Sequence, residues 1–199
     1  MLTLKLYQKY CPNKLPVQVG ERLGHDGANG EVLSIIGSPE KAIKLSVIND
    51  GEVHSKDIYF NRIDHILKYI KTEKPEPLVS IYEHGFSGYY QRDKVNFPFV
   101  LHYYIMEKLL KISDDEKKVF HSLISHEDRL IKKDFSNEKI KEILGGLARG
   151  LDFDTQKIIL FCEQLRNLPI QHNDLHPRNI MLDNKGYYKL IDLDSCSFK

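Results

Sequence analysis

The sequence predicts an α+β chain, strand-rich in its first half and helix-rich in its second. Three observations carry this. Residues 17–47 hold three alternating, β-branched segments separated by glycines (VQVGERLG, EVLSII, KAIKLSVI). Residues 56–72 place Phe60, Ile63, Leu67 and Ile70 at helical spacing. From Ser113 onward the segments 113–133, 136–149 and 154–168 read as helices.

In chain order, the three strands come first and the helix over 56–72 follows, stopped by Pro75 and Pro77. Two more strands, LVSIYEHG and FVLHYYIMEKL, flank a polar hairpin near Ser87–Asn96. The segment 154–168 is the clearest helix, with Ile158, Ile159, Phe161, Cys162 and Leu165 as its buried side. Two short strands, NIMLD and YKLID, close the pattern around an NKG turn. The boundary is placed at 109–113, giving a first unit over 1–110 and a second over 111–199.

Bulk properties exclude some functions. A net charge of +1 offers no field for nucleic acid or anionic lipid, so neither partner is expected. No apolar run approaches the roughly 18 residues that cross a bilayer. The opening MLTLKLYQKYCPNKLP has no apolar core or cleavage signal of a secretory leader. Cys11, Cys162 and Cys196 make no disulfide framework, which predicts a reducing, cytoplasmic setting. Separately, a monomer is expected. Export by a dedicated secretion machine leaves no such mark and stays open.

The chemistry concentrates in HNDLHPRNIMLDNKGYYKLIDLD, residues 172–194. Asp174 and Asn179 lie five apart in a loop after a helix, and Asp192 follows Asn179 by 13 residues. A hairpin between them returns Asp192 to Asn179. An amide oxygen and a carboxylate suit a hard cation such as magnesium, or manganese, which keeps several waters. Asp174 stands beside that ion, able to accept a proton from a hydroxyl.

This arrangement resembles the catalytic core of the protein-kinase-like superfamily. His172-Asn173-Asp174-Leu175-His176-Pro177-Arg178-Asn179 resembles its HRDLxxxN loop, and Asp192-Leu193-Asp194 stands at DFG. The resemblance implies Asp174 as catalytic base, Asn179 and Asp192 as metal ligands, ATP as co-substrate, and a two-lobed minimal fold with a truncated helical second lobe. Asp194 either reaches a second metal or caps the turn.

In the first half, Gly24, Gly27, Gly30 and Val32 resemble the family's glycine-rich loop, with the first glycine displaced by one; an ordinary hairpin turn is the alternative. Lys41-Ala42-Ile43-Lys44 matches the VAIK position, implying that Lys44 pairs with phosphates and Ala42 packs under adenine. The helix glutamate that pairs with this lysine in the family is missing. Asp64 is the first candidate, Asp57 the second, and Glu52 lies just before the helix. YYIMEKL resembles the interlobe linker, implying adenine contacts from the backbone of Glu107 and Leu109, with Met106 or Ile105 behind the pocket and Met181 also on the nucleotide.

Asn173 replaces the arginine that receives an activation-loop phosphate, and seven residues follow Asp192, so activity without a phosphorylation switch is expected. The DLHPRN variant resembles aminoglycoside phosphotransferases, whereas size and motif order look more like the minimal kinases that bacterial pathogens inject into host cells. One such group phosphorylates the ninety-kilodalton heat-shock chaperone. The expectation is an effector Ser/Thr kinase acting on a host protein, possible chaperones included. The rivals are a small-molecule kinase of the aminoglycoside type and a nucleotide-binding pseudokinase.

Overall fold

The computed structural model describes residues 2–10, 15–23, 30–49, 56–92, 95–125 and 136–199. The chain is α+β and divides into two compact units, residues 1–71 with 80–108, and residues 72–79 with 109–199.

The first unit is built on an antiparallel five-stranded sheet. Its strands are β1 (Val19–Arg22), β2 (Gly30–Ile35), β3 (Ser38–Asn49), β4 (Ile81–Arg92) and β5 (Val95–Glu107), in the order β1-β2-β3-β5-β4. The β2–β3 turn is made by Ile36 and Gly37, and Gly37 sits at φ +81. A Cβ there would meet nothing within 4 Å, so the turn needs glycine for its backbone and not for space.

Alternation sorts the sheet's side chains into two faces. Leu33 pairs with Ile43 and Glu31 with Leu45, on one face; Val32 pairs with Lys44 and Ser34 with Ala42, on the other. The first face is covered by α1 (Leu2–Tyr10). Tyr7 is fully buried there among Leu33, Ile35, Ile43, Leu45, Leu101 and Ile105. Glu31, itself buried, accepts a hydrogen bond from Leu4 N–H in the first turn of α1 at 3.1 Å. A nine-residue helix is marginal alone, and packing of this kind sustains it.

Helix α2 (Lys56–Glu73) buries Ile63, Ile66, Leu67 and Ile70. The hairpin between β4 and β5 is longer than its polar composition suggested. Pairing continues through Tyr90↔Phe99 and Gln91↔Pro98 to Arg92↔Val95, because the ladder is a backbone property and does not need apolar side chains.

In the second unit, α3 (Asp114–Ser125), α4 (Asn137–Leu147) and α5 (Thr155–Asn167) accompany β6 (Leu110–Lys111), β7 (Ile170–His172), β8 (Ile180–Leu182), β9 (Tyr188–Leu190) and β10 (Cys196–Phe198). Of the helix predicted over 113–133, residues 126–133 lie outside the described residues. Ser113 and Glu116 form a reciprocal cap on α3: Glu116 N–H donates to Ser113 Oγ at 3.1 Å, and Ser113 N–H to Glu116 Oε2 at 2.6 Å. Asp154 caps α5 by accepting from Gln156 and Lys157 N–H.

The buried face of α5 is Ile158, Ile159, Phe161, Cys162 and Leu165, as its periodicity predicted. Phe120 packs edge-on to Phe161 and Tyr188, with centroids 5.7 and 5.0 Å away. Cys162 and Cys196 are buried free thiols, and burial pushes Cys162 up to about 12, which keeps it unreactive.

Two small sheets complete this unit, β6-β8-β9 and β10-β7. The segment 72–79 joins the first. Leu190 N–H donates to Pro77 O at 2.7 Å, Val79 N–H donates to Leu190 O at 3.1 Å, and the buried Lys189 Nζ donates to Glu76 O at 2.6 Å. Strand β9 is thereby held on both edges. Lys74, at φ +47, takes the left-handed position that ends α2.

Candidate functional site

The acidic loop and hairpin of the second unit form the candidate site. Strand β7 ends at His172, which is buried. Its Nε2 lies 2.9 Å from the Ile191 carbonyl, and its Nδ1 accepts from Asp174 N–H at 3.2 Å. These partners define a neutral ring protonated on Nε2. Burial, which penalises the imidazolium, holds the His172 pKa below its ordinary value, although the Ile191 carbonyl and the charges of Asp192 and Asp174 pull upward. One side chain thus spans the loop carrying Asp174 and the strand end carrying Asp192.

The sign of this shift gives a pH prediction. The unfolded imidazole titrates near 6.5 and the folded one lower, so the stabilisation is fully present above pH 6.5 and is lost as pH falls through the folded value. Urea unfolding of the metal-free protein and of His172→Gln should show a gap that narrows between about pH 7.5 and about pH 5.5. A gap that widens in acid would contradict the neutral ring.

Asn179 is also buried, at the end of a 3-10 turn, Pro177–Asn179. Its Nδ2 donates to the Asp174 backbone carbonyl at 2.9 Å, leaving its Oδ1 as the accepting end of the amide. Its own carbonyl accepts from Ile191 N–H at 2.8 Å. The hairpin beyond it pairs Ile180 with Leu190, Met181 with Lys189 and Leu182 with Tyr188. At its turn, Asp183 Oδ1 accepts from Lys185 and Tyr187 N–H, and Gly186 takes φ +75. The strands are shorter than predicted, because Asn179 closes the preceding turn and Asp192 leaves the ladder.

Asp192 sits at φ 62, ψ 54, a left-handed conformation rare for a residue with a Cβ. The chain then turns through Leu193–Ser195 and returns as β10, whose Cys196, Ser197 and Phe198 pair with His172, Gln171 and Ile170. Asn173 N–H donates to Ser195 O at 3.0 Å. The loop 173–179 and the turn after Asp192 are therefore tied at several points. Strands β7 and β10 were not predicted: each has three residues, too few to show a period.

Of the remaining predicted site residues in this unit, Leu109 precedes β6 and Met181 is half-buried on β8. The oxygen-only pair Asn179 and Asp192 fits a hard cation that keeps water and phosphate ligands. Among the described residues, no three His, Cys, Asp or Glu side chains gather into a cage of their own.

In the first unit, Gly30, Val32, Ala42 and Lys44 share one sheet face, since Val32 opposes Lys44 and Ser34 opposes Ala42. Gly24, Gly27 and Glu52, and the side chain of Asp57, lie outside the described residues. The Lys44 ammonium is 5.6 Å from the Tyr104 ring centroid, and Tyr104 is its cross-strand partner on β5. Asp64, the first candidate partner for this lysine, is engaged elsewhere: its carboxylate meets Lys68 Nζ at 2.6 Å and His84 Nε2 at 3.0 Å. Burial penalises the Asp64 charge, but hydrogen bonds from Lys68 and His84 outweigh it and hold the carboxyl below its usual value.

Glu107 N–H donates to Ser80 O at 3.1 Å, and Lys108 N–H to Glu40 O at 2.8 Å. For a base contact at Glu107, the carbonyl is therefore the group to consider. Met106 and Ile105 are both buried, and the register puts Met106 opposite Ala42 on the face that carries Lys44.

Gly30 is tightly enclosed. A Cβ there would lie 2.7 Å from Leu45 O, 3.1 Å from Ser46 Oγ and 3.4 Å from Lys44 Cε. Backbone cannot yield as a side-chain tip can, so Gly30→Ala should cost about 1–3 kcal/mol and displace the Lys44 stem. Thermal melting with and without nucleotide checks both effects; an unchanged melt would show that the strand pair relaxes freely.

No protein-family model matches the chain, and no curated protein is similar to it in sequence. A solved crystal structure of WbdD is similar over 93% of this chain and 34% of its own, at 17% identity and a TM-score of 0.46. The chain thus spans 34% of the length of that protein.

Proposed function

We propose that this protein is an ATP-dependent phosphotransferase whose two units correspond to the lobes of a minimal kinase-like fold. The observation that carries the reading is Asn179, which bonds the backbone of Asp174 through its amide and the strand end next to Asp192 through its carbonyl. A candidate base and two candidate metal ligands are thereby held by one short stretch of chain.

In this reading Asp174, half exposed, takes the proton of an acceptor hydroxyl as its oxygen bonds the γ-phosphorus and ADP leaves. Asn179 and Asp192 hold magnesium or manganese, which offsets phosphate charge when bound. Lys44 and the backbone around Gly30 position phosphates, Val32 and Ala42 pack on adenine, and His172 keeps the loop and the Asp192 turn in register. Catalysis by such a site is mostly positioning and electrostatics.

The acceptor class we propose is a protein Ser or Thr hydroxyl. The setting we propose is that of a bacterial effector acting on a host protein such as a chaperone. Incubation with magnesium, radiolabelled ATP and either whole-cell lysate or a metabolite pool tests this. Label on a protein band supports it, label on small molecules favours the aminoglycoside-type rival, and no label in either arm removes the enzyme.

A second reading, nucleotide binding without transfer, is favoured by Asp64, whose bonds to His84 and Lys68 commit the acid first in line to pair with Lys44. A thermal shift with magnesium and ATP but no turnover would support it.

A further inference from the structure

His176 stands beside the proposed base and has no part in the reaction as described. It caps the turn Pro177–Asn179: its Nδ1 accepts from Arg178 N–H at 3.1 Å, and its carbonyl accepts from Asn179 N–H at 2.9 Å. A ring nitrogen that accepts carries no proton, so the neutral ring bears its proton on Nε2. That nitrogen is 3.6 Å from Asp174 Oδ2. The ring is pinned along one edge by the cap and presents an N–H to the carboxylate along the other. The gap is longer than a hydrogen bond, and a rotation of the exposed Asp174 carboxylate would have to close it.

From this geometry we infer that His176 is a positioning residue for Asp174, a role that rests on the phosphotransferase reading. The Nε2–H engages Oδ2, which leaves Oδ1 presented to the acceptor hydroxyl. Asp174 needs such a constraint, because its side chain is 58% exposed and a carboxylate in water samples many orientations. Only some of these place an oxygen within reach of the proton it must take. The task calls for a donor of fixed direction, and the Arg178 amide supplies the fixing.

Two substitutions separate this role from simple capping. In His176→Asn the amide oxygen replaces Nδ1, so the cap survives while the donor that reaches Asp174 is lost. In His176→Gln the terminal NH2 replaces Nε2–H, so the donor survives while the cap is lost. The expected result is that Asn keeps the parent melting temperature and the KM for ATP but loses about tenfold or more in kcat. Gln should melt lower, yet hold kcat well above that of His176→Ala.

A residue that only caps would give the reverse order: Asn fully active and Gln as impaired as Ala. Either of those outcomes overturns the role. A parent protein that transfers no phosphate overturns the reaction, and the role with it. Active parent protein with indifferent His176 variants overturns the role alone.

Discussion

Asp192→Asn is expected to lower phosphoryl transfer by about a thousandfold or more, and to weaken nucleotide binding in magnesium by at least about tenfold. Asparagine is the informative replacement because Asp192 is left-handed, at φ 62, and asparagine tolerates that region nearly as well as aspartate. Alanine would add backbone strain of about 1 kcal/mol and confuse folding with chemistry. The amide keeps an oxygen but loses the charge that attracts a divalent ion.

Asp174→Asn should behave differently. Transfer should fall by about a hundred- to ten-thousandfold, with nucleotide affinity nearly unchanged. In the proposed roles Asp174 is a base outside the metal shell, and such a base contributes to the transition state and not to the ground state. Calorimetric titration with magnesium and ATP, alongside turnover, separates the two. If Asp192→Asn kept a tenth of parental transfer, or if both variants lost nucleotide equally, the assignment of roles would fail.

Lys189→Met is expected to destabilise the second unit by about 3–5 kcal/mol. Lys189 is buried on β9, and its ammonium donates to Glu76 O at 2.6 Å, with Glu76 Oε2 at 3.7 Å and Asp183 Oδ2 at 3.9 Å. Methionine fills the stem's volume but removes the cation, leaving the buried Asp183 carboxylate without it.

The same change removes one of the ties between the 72–79 segment and β9, the strand that leads into Asp192, while the backbone bonds of Leu190 with Pro77 and Val79 remain. Asp183 keeps its bonds from Lys185 and Tyr187 N–H, which sets the cost toward the lower end. Adding Asp183→Asn removes the stranded charge while keeping an acceptor oxygen for both amides, so the double variant should recover part of the loss. Urea unfolding measures all three. A loss under about 1 kcal/mol for Lys189→Met would mean that water reaches the site and screens it.

How much of this could be read in advance varies by element. The buried face of α5 was legible because five apolar positions at helical spacing suffice to define one side. The 179–192 hairpin was legible because apolar runs flank an NKG turn, and Gly186 takes the positive φ that such a turn requires. Helix α1 was not: its packing depends on Tyr7 meeting residues of β2, β3 and β5, and on Glu31 reaching Leu4 N–H from 27 residues away. Nor was the engagement of Asp64, since helical spacing shows which way a side chain faces but not what a distant strand places there. His84, 20 residues along, decides that.

By itself, then, the sequence determined the strand-rich first half, the helix-rich second half and the hairpin that carries Asn179 and leads to Asp192. Those properties reside in periods, caps and turns only a few residues long, where sterics and local hydrogen bonds act. Tertiary structure alone decided that 72–79 clasps β9, that β10 returns to pair with β7, and that His172 and Asn179 lock the acidic loop to the turn at Asp192. Each of these depends on burial and hydrogen bonding between groups far apart along the chain, which no short window of residues contains.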